Sequence, residues 1–486
     1  MNPLRLTIPE IQEKFKNQEL KPSELMQNSL NAIKEKDGTI NAIVRNRTES
    51  AMEEAQKCDE AFASGNADEL GALAGIPLIV KDNMAIKGQE VTASSKILGG
   101  FRPPYNATAI AKIQSAGAII TAQANMDEFA MGSSCETSHY GPTRNPWNTD
   151  TVPGGSSGGS AAALAAGYAP ISLGSDTGGS IRQPASFCGT VGLKPTYGRV
   201  SRYGLFAYGS SLDQIGPLAN SVDDCATVLK AIEGLDSYDS TSVSAPIALS
   251  DKLESVEGLK IGVPKEFMDS SKGLRPEVKT LLEENLKALE KEGAEIREIS
   301  LPILDYVIPT YYLIANCEAS SNLARYDSIR YGYRSESPES LMDSYLKSRE
   351  EGFGGEVKTR IMLGTYALSA GYYDAYYKKA ELIRQDMRAQ TEKLFEEVDI
   401  IAGPTAPDVA FKVGEKTDDP LSMYMQDIYT TFVNLISSPA MSVPCGLVDG
   451  LPVGMQMVGK LFDENTLFRT GKAIEKVRKW EPICDS

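Results

Sequence analysis

The sequence predicts an α/β fold, because short apolar runs alternate with helical patterns along most of its 486 residues. The first runs lie at 76–80, 118–120 and 171–173, and a second series begins at residue 259. Strand patterns return near the end of the chain. Since core strands near both ends suggest one sheet built from distant parts of the chain, we expect a mixed β-sheet core. Helices should cover both of its faces in one large domain, residues 1–486.

The N-terminal segment, about 1–70, is predicted to be helical. Thr7 and Glu10 have the spacing of a capping box, and a second helix follows Pro22. The apolar residues on one face of that second helix are Met26, Leu30 and Ile33. We therefore expect helices to precede the first strand of the core.

The two series of strands are separated by a helix and a loop. A helix of small residues is predicted at Ala161–Gly167, and the stretch Asp236–Asp251, rich in Ser and Asp, is predicted to be a surface loop. The second series begins with alternating apolar residues at 259–263, continues as a helix from Pro276, and reaches another strand near Ile299. These elements repeat the strand and helix alternation of the first series.

The segment of about 306–397 is rich in helix formers, tyrosines and charges, and is predicted to be a helical insertion. Within it, 372–398 has the pattern of one long helix. Strands are predicted again at 398–401, 440–443 and 455–458. The insertion should therefore lie over a sheet that its flanking strands help to build.

The charge of the chain argues against direct binding of nucleic acid. It carries 49 basic and 65 acidic side chains, a formal net charge of −16, so a phosphate backbone is repelled on balance. A nucleic acid, if one is involved, should be bound by another chain. The segment after Met1 is amphipathic instead of apolar, and no apolar run is long enough to cross a membrane. We therefore expect a cytoplasmic protein without membrane contact.

The cysteine and histidine content argues against disulfides and zinc. The seven cysteines are odd in number and scattered, without a C-x-x-C pair, which is typical of reduced thiols. There is a single histidine, His139, in a polar run. We predict no metal site in this chain, and we predict that His139 is a surface residue.

Two serine-glycine clusters and one lysine carry the functional signal. The clusters are Gly154–Ser160 and Asp176–Ser180, and Lys81 ends the apolar run at 76–80. Glycines let backbone amides approach a bound group, and a serine held among them can act as nucleophile or proton relay. Since only one histidine is present, the base for such a serine should come from elsewhere.

Two familiar alternatives fit these clusters poorly. Gly154–Gly158 matches the G-x-S-x-G elbow of α/β-hydrolases, but there the histidine follows the serine, whereas His139 precedes it. A phosphate cradle requires G-x-x-x-x-G-K-[ST] or G-x-G-x-x-G spacing, and neither cluster has it. Both hypotheses are therefore ranked below a lysine-based mechanism.

Lys81 is predicted to act as the base. At the end of an apolar strand it is partly desolvated, which disfavours its charged form. To accept a proton near neutrality its pKa must fall by about three units, or roughly 4 kcal/mol. A neutral amine could then take a proton from one serine, which takes one from a second. The amides of Thr177–Ser180 would stabilise the oxyanion.

Each motif alone also fits a simpler interpretation. A lysine after a strand is usually solvated, and Gly-Ser runs are usually linkers. Their combination among ordered strands and helices favours a catalytic site.

The clusters resemble the signature of the amidase signature family. The matching stretches are 153–163, 174–184 and 192–198. The resemblance implies the amidase signature fold. It also implies that Ser180 is the nucleophile, that Ser156 is a bridging serine with a cis peptide bond, and that Lys81 is the base. Ser157 is the competitor for the bridging role, and Ser156 is preferred because its interval to Ser180 is that of the family.

Within that family the chain resembles the branch of A subunits of tRNA-dependent amidotransferases. The stretches that carry this resemblance are Asn125–Ser134, Glu318–Tyr326, Arg330–Arg334 and Arg360–Ser369. It implies a glutaminase that passes ammonia to a heterotrimer with B and C subunits. ATP and magnesium are expected at the partner subunit, charged tRNA mainly at the B subunit, and no cofactor in this chain. The product would be Gln-tRNA(Gln) from Glu-tRNA(Gln), or Asn-tRNA(Asn) from Asp-tRNA(Asn).

Recognition of free glutamine requires a partner for each end of the amino acid. A guanidinium can take the α-carboxylate through two hydrogen bonds, and a carboxylate can take the α-ammonium. The resemblance implies that Arg360 and Asp427 have these roles, with Tyr311 on the wall. The alternative is that both are members of surface ion pairs. The stretch 432–439 departs from the family pattern, since it lacks the usual proline and glycine before the strand.

Two other functions remain as alternatives. One is a stand-alone amidase of the same family that acts on small amides. The other is a noncatalytic scaffold, which the presence of Lys81, Ser156 and Ser180 disfavours.

Overall fold

A computed structural model of the protein describes residues 2–245, 247 and 255–478. Its centre is a single mixed sheet of eleven strands. In chain order the strands are β1 Ile43–Asn46, β2 Pro77–Lys81, β3 Ile119–Ala124, β4 Ile171–Asp176, β5 Val191–Lys194, β6 Gln214–Ala219, β7 Lys260–Pro264, β8 Glu295–Ile299, β9 Ile400–Pro404, β10 Ala440–Val448 and β11 Leu451–Gly459. They are ordered β1-β3-β2-β4-β6-β5-β10-β11-β9-β7-β8 across the sheet.

Fifteen α-helices surround the sheet in the part of the chain that the structure describes. They are α1 Ile8–Lys16, α2 Pro22–Ile40, α3 Thr48–Ser64, α4 Thr108–Ser115, α5 Gly158–Ala165, α6 Arg182–Cys188, α7 Val222–Ile232, α8 Pro276–Lys291, α9 Val307–Asn322, α10 Leu341–Gly352, α11 Gly355–Leu368, α12 Tyr377–Glu397, α13 Pro420–Tyr424, α14 Thr431–Leu435 and α15 Glu464–Val477. The helix α1 begins with the predicted capping box, in which the Thr7 side chain and Glu10 exchange hydrogen bonds with the backbone.

The register of β2 and β4 determines where the two sequence motifs meet. These strands are parallel neighbours, with Val80 opposite Leu173. Because the carboxyl ends of parallel strands lie at the same edge of a sheet, Lys81 at the end of β2 comes beside the end of β4. The second serine-glycine cluster follows β4 directly, so the fold places it next to Lys81.

The predicted α/β architecture with one mixed sheet is confirmed. The N-terminal segment is not purely helical as predicted, because β1 lies within it and pairs antiparallel with β3. The strands β5 and β6 were missed by the sequence pattern. In β6, Gly216 and Pro217 interrupt the apolar alternation, although both residues pair with β4.

In the segment predicted to be a helical insertion, the helices α9 to α12 span 307–397. Its last helix begins at Tyr377, five residues after the predicted start at Tyr372. The predicted loop at 236–251 lies partly outside the described residues. In its described part, the side chains of Asp236 and Asp239 accept hydrogen bonds from the Ser201 hydroxyl and the Arg202 amide.

The cysteines of the described residues are all free and buried, and Cys484 lies outside them. Among the described helices, none is long and apolar enough to cross a membrane.

Candidate active site

Lys81 is the last residue of β2, and its side chain is completely buried. The whole strand is buried, so the aliphatic stem of the lysine runs through the protein interior. Burial lowers the pKa of Lys81 to about 7, although nearby acidic groups, Asp127 foremost, favour the charged form. The amine therefore exchanges its proton near neutral pH, as a general base must.

Serine hydroxyls surround the Lys81 amine. Its Nζ lies 2.7 Å from Ser156 Oγ, 2.9 Å from Ser157 Oγ and 3.0 Å from Ser175 Oγ. The Ser175 carbonyl oxygen is 3.2 Å from Nζ, and the Asn83 side-chain amide donates to Ser175 Oγ over 2.9 Å. The buried amine thus has hydrogen-bond partners in either protonation state.

The hydrogen bonds distinguish Ser156 from its competitor Ser157. The Ser157 hydroxyl donates to the Ser175 carbonyl over 3.1 Å, so its hydrogen is engaged. Among the described residues, Ser156 Oγ has Lys81 as its one hydrogen-bond partner. Ser156 is therefore the better proton relay. The predicted cis peptide bond, between Gly155 and Ser156, is present.

Ser180 lies at the edge of this cluster. Its side chain is 7% exposed, whereas Lys81 and Ser156 are 0% exposed, so Ser180 is the member that a substrate can reach. Its carbonyl oxygen accepts a hydrogen bond of 3.0 Å from the amide of Ser157. Within the described chain no hydrogen bond joins the hydroxyls of Ser156 and Ser180. The fold thus brings Ser180 beside the Lys81 and Ser156 pair without a direct side-chain bond to it.

The predicted oxyanion donors, the amides of Thr177–Ser180, differ in their availability. The Gly179 amide donates to Asp176 Oδ1 over 2.8 Å, and the Ile181 amide donates to Asp176 Oδ2 over 3.2 Å. The Gly179 amide is therefore engaged in this structure. The amides of the other three predicted donors have no hydrogen bond to another described residue, so they are the donors available to an oxyanion.

A buried ion pair holds this loop in place. Arg182 donates to both oxygens of the Asp176 carboxylate, each over 3.0 Å, and both side chains are fully buried. Burial alone would raise the pKa of Asp176, but the charge and hydrogen bonds of Arg182 outweigh it and lower this pKa to about 2. Asn434 bridges the pair, accepting from Arg182 over 2.7 Å and donating to Asp176 over 2.9 Å. The divergent stretch 432–439 therefore supports the loop.

Arg360, on α11, is buried with a polar partner on two of its nitrogens. Its Nε donates to Glu356 Oε1 over 2.7 Å, and its Nη1 donates to the Tyr208 hydroxyl over 2.6 Å. The guanidinium also lies over the Tyr312 ring, 5.3 Å from its centroid. Arg360 is therefore a fixed, buried cation, and the alternative of a surface ion pair does not describe it.

Asp427 is buried close to Arg360, since Tyr312 contacts both residues. Its Oδ2 accepts from the Ser133 hydroxyl over 2.7 Å and from the Tyr312 hydroxyl over 3.1 Å. Burial raises the pKa of Asp427 to about 7 despite these hydrogen bonds. Tyr311 packs against the loop after β4, since a Cβ on Gly178 would lie 2.5 Å from the Tyr311 hydroxyl oxygen. Tyr311 thus contributes to the wall of the site beside the loop after β4.

A cavity of about 240 Å³ adjoins these residues, and its lining includes Ser133, Glu356 and Arg360. A buried cation and a buried carboxylate near one cavity match the two charged ends of a free amino acid. The arrangement supports hydrolysis of a small amide that carries both charges.

Several residues that support the site were not identified from the sequence. They are Asn83, Ser133, Ser175, Tyr208 and Glu356. Ser133 lies within a stretch that the family resemblance singled out, and Ser175 adjoins the second serine-glycine cluster. The contacts of Tyr208 and Glu356 depend on how α11 packs, which has no local signal.

His139 is exposed, as predicted. In the described part of the chain there is no group of three or more His, Cys, Asp or Glu side chains that could hold a metal ion.

Comparison with known proteins places the chain in a large group of relatives. The family model described as Amidase matches residues 24–468. The A subunit of the glutamyl-tRNA(Gln) amidotransferase of Caldanaerobacter subterraneus subsp. tengcongensis is 53% identical over 478 residues, which cover 98% of this chain and 97% of the relative. The protein of the same name from Bacillus pumilus is 54% identical, with 96% of each chain covered.

Solved structures agree with this relationship. The crystal structure of the glutamyl-tRNA(Gln) amidotransferase A subunit from Thermotoga maritima superposes with a TM-score of 0.80 at 41% identity, covering 97% of this chain and 95% of the other. The native peptide amidase from Stenotrophomonas maltophilia has the same TM-score of 0.80 at 29% identity, with 99% of each chain covered. The fold is therefore shared by enzymes that act on different amides.

Proposed function

The chain belongs to the amidase signature family, and we propose that it is the glutaminase subunit of a tRNA-dependent amidotransferase. The observation that carries this proposal is the pairing of two buried groups, the Arg360 cation and the Asp427 carboxylate. They lie near the serine loop, because Ser133, which donates to Asp427, packs against Gly155. A substrate with an α-carboxylate, an α-ammonium and a side-chain amide satisfies all three parts. The names of the relatives at over 50% identity support the same assignment.

The proposed reaction begins with proton transfer. Neutral Lys81 takes the proton of Ser156, which takes the proton of Ser180 as the Ser180 Oγ attacks the carboxamide carbon of glutamine. The negative charge that forms on the carboxamide oxygen is stabilised by the free amides of the Thr177–Ser180 loop. The resulting tetrahedral intermediate has a new C–O bond and still holds the nitrogen.

Collapse of the intermediate breaks the C–N bond. The proton on Lys81 returns through Ser156 to the nitrogen, which leaves as ammonia, and a glutamyl ester remains on Ser180. Water, activated by the same relay, then attacks this ester and releases glutamate. In these steps Lys81 and Ser156 accept and return every proton that is transferred.

We further propose that the ammonia is used in a complex with B and C subunits in the cytoplasm. ATP and magnesium would act at the partner subunit, which would convert Glu-tRNA(Gln) to Gln-tRNA(Gln), with Asp-tRNA(Asn) as an alternative acceptor. The net charge of −16 supports this division of labour, because this chain is poorly suited to bind tRNA itself.

The test is co-expression with B and C subunits, followed by a glutaminase assay of the purified complex. We expect a stable heterotrimer that releases ammonia from glutamine, with stimulation by ATP and charged tRNA. The same assay of the isolated chain, without B and C subunits, provides the comparison with the complex. Hydrolysis of simple amides by the isolated chain, with no preference for glutamine, would instead identify a stand-alone amidase. Full activity of the complex with Lys81→Ala would instead identify a scaffold.

A further inference from the structure

The helix that carries Arg360 is held at its start by a carboxylate from a distant part of the chain. Gly354 is the N-cap of α11, and its amide donates to Glu128 Oε2 over 2.8 Å. Glu128, 226 residues away in sequence, makes the contact that the third helical residue makes in a capping box, since it accepts the amide of the N-cap residue. Glu128 is buried, with 3% of its surface exposed. When the carboxylate is ionised, its charge also interacts favourably with the positive end of the helix.

The contact depends on the glycine. A Cβ at Gly354 would lie 2.3 Å from Glu128 Oε2, so any larger residue would displace the carboxylate. The other oxygen, Oε1, accepts a hydrogen bond from the Ser95 hydroxyl. The same hydroxyl lies 3.3 Å from the carbonyl oxygen of Gly352, the last residue of α10. Glu128 and Ser95 therefore clamp the junction between α10 and α11.

Glu128 belongs to a segment that also contacts the catalytic loop and the glutamine site. We call residues 127–137 the connecting segment. Asp127 lies against the serine loop, since a Cβ on Gly155 would be 2.1 Å from Asp127 Oδ2. Ser133 donates to Asp427, the proposed partner of the α-ammonium. One short segment thus contacts the serine loop, the Asp427 carboxylate and the start of α11.

The position of Arg360 depends on the start of α11. Arg360 lies five residues after Gly355, about 7.5 Å along the helix. Its Nε and Nη1 are already bonded to Glu356 and Tyr208, so its guanidinium cannot reorient freely when the helix shifts. A displacement of 1 Å at a binding group can cost about 100-fold in rate. A shift of the start of α11 therefore displaces the Arg360 guanidinium, the group that we propose binds the substrate.

We propose that Glu128 is a positioning residue for glutamine recognition, which fixes the start of α11 so that Arg360 meets the substrate α-carboxylate. This inference rests on the proposed glutaminase function. It assigns Glu128 no contact with substrate. Its effect should therefore be confined to substrates that carry an α-carboxylate.

The experiment compares glutamine with 4-aminobutanamide, which is glutamine without its α-carboxylate. Both are assayed with the full chain in complex with B and C subunits. We expect Glu128→Ala to raise KM for glutamine about tenfold, while kcat/KM for 4-aminobutanamide changes less than about twofold. Glu128→Gln should rescue KM to within about twofold of the unsubstituted protein, because its amide oxygen still accepts the Gly354 amide.

The carboxylate that contacts the start of α7 provides a matched control for Glu128. Glu475, a half-buried carboxylate on α15, also contacts the start of a helix, and it accepts a hydrogen bond of 2.9 Å from the Val222 amide of α7. Burial raises the pKa of both carboxylates, Glu475 and Glu128, to about 7. Glu475→Ala should lower the thermal unfolding temperature as Glu128→Ala does. It should leave KM for glutamine unchanged, because α7 carries no proposed substrate ligand.

A double-mutant cycle tests whether Glu128 acts through Arg360. In an Arg360→Ala background, Glu128→Ala should raise KM for glutamine by less than about twofold more. An equal loss on both substrates, or an undiminished effect in the Arg360→Ala background, would overturn the inference. Failure of the proposed function is distinguishable, because the unsubstituted complex would then show no preference for glutamine over 4-aminobutanamide, and Arg360→Ala would not change the ratio of their kcat/KM values.

Discussion

The proposed catalytic centre is built differently from the proposed recognition wall, which consists of Ser133, Tyr208, Tyr311, Arg360 and Asp427. The centre consists of Lys81 and the serines at the ends of β2 and β4, where one hydrogen bond joins residues 94 apart in sequence. In the wall, Ser133 and Asp427 are 294 residues apart, and Arg360 and Tyr208 are 152 apart. The sheet therefore positions the groups that we propose to react, while helices and loops packed over it bring together the residues that we propose to bind glutamine.

Because of this difference, we expect that mutations can change the rate of amide hydrolysis and the preference for glutamine separately. A substitution in the centre should slow the hydrolysis of every amide. A substitution in the wall should weaken the use of glutamine and spare amides that lack its charged groups. Four predictions test this separation, beginning with the largest expected effect.

Ser180→Ala should abolish hydrolysis of glutamine and of 4-aminobutanamide alike. Loss of the nucleophile is expected to lower kcat by about 10⁴-fold or more, because the remaining groups stabilise only part of the transition state. Ammonia release under saturating substrate measures this loss. The thermal unfolding temperature should stay unchanged, since Ser180 lies at the edge of the site. Residual activity above about 1% on either amide would contradict its role as nucleophile.

Lys81→Met should lower kcat by about 10³-fold on both amides, because no other base can take the Ser156 proton. Lys194→Met is the matched control. Burial lowers the pKa of Lys194 to about 7, as it does for Lys81, but Lys194 Nζ donates to the carbonyl of Pro195 and bonds no serine hydroxyl of the described chain. Its loss should cost about tenfold or less. An equal loss of kcat in the two variants would show that the contacts of Lys81 with serine hydroxyls give it no catalytic role that Lys194 lacks.

Arg360→Lys should weaken glutamine binding without affecting the catalytic centre. Lysine keeps the charge but loses the two-bond geometry toward a carboxylate, which is worth about 2 to 3 kcal/mol, so KM for glutamine should rise about 100-fold. The KM for 4-aminobutanamide should stay within about twofold. Steady-state kinetics on both substrates measure the contrast. A parallel rise in both would mean that Arg360 supports the fold of the site and does not bind the α-carboxylate.

The same contrast explains how much could be predicted from the sequence. Lys81 and the two serine-glycine clusters are contiguous motifs, so the sequence predicted their combination in one site, and the parallel pairing of β2 and β4 explains how Lys81 meets the second cluster. The cis bond before Ser156 was also predicted and is present. For the wall, the family resemblance supplied Arg360 and Asp427, but no local pattern predicts that Tyr208 or Glu128 contacts α11. Such contacts depend on how distant helices pack.

The fold shows a similar limit. The strand β6 pairs along its length with β4, yet Gly216 and Pro217 hide it from an apolar alternation pattern. The engaged amide of Gly179 is another example, because its bond to Asp176 depends on a side chain held by Arg182. Residue types alone do not determine which of several neighbouring amides stays free.

The smallest predicted effect is a difference in pH dependence between the two regions. The pKa of Lys81 is lowered to about 7 and that of Asp427 is raised to about 7, both by burial. The base must be neutral and the ammonium-binding carboxylate must be ionised, so both groups become competent as pH rises through 7. For butanamide, which has neither charged group, kcat/KM should rise about tenfold per pH unit below 7 and then level off.

For glutamine, kcat/KM should rise more steeply over the same range, approaching about 100-fold per unit, because two deprotonations are required. Asp427→Asn should return the glutamine profile to a slope of one without changing the butanamide profile. This comparison separates the centre from the wall within one enzyme. Identical slopes for glutamine and butanamide in the unsubstituted protein would show that Asp427 ionisation does not control binding, and would leave Lys81 as the sole titrating group.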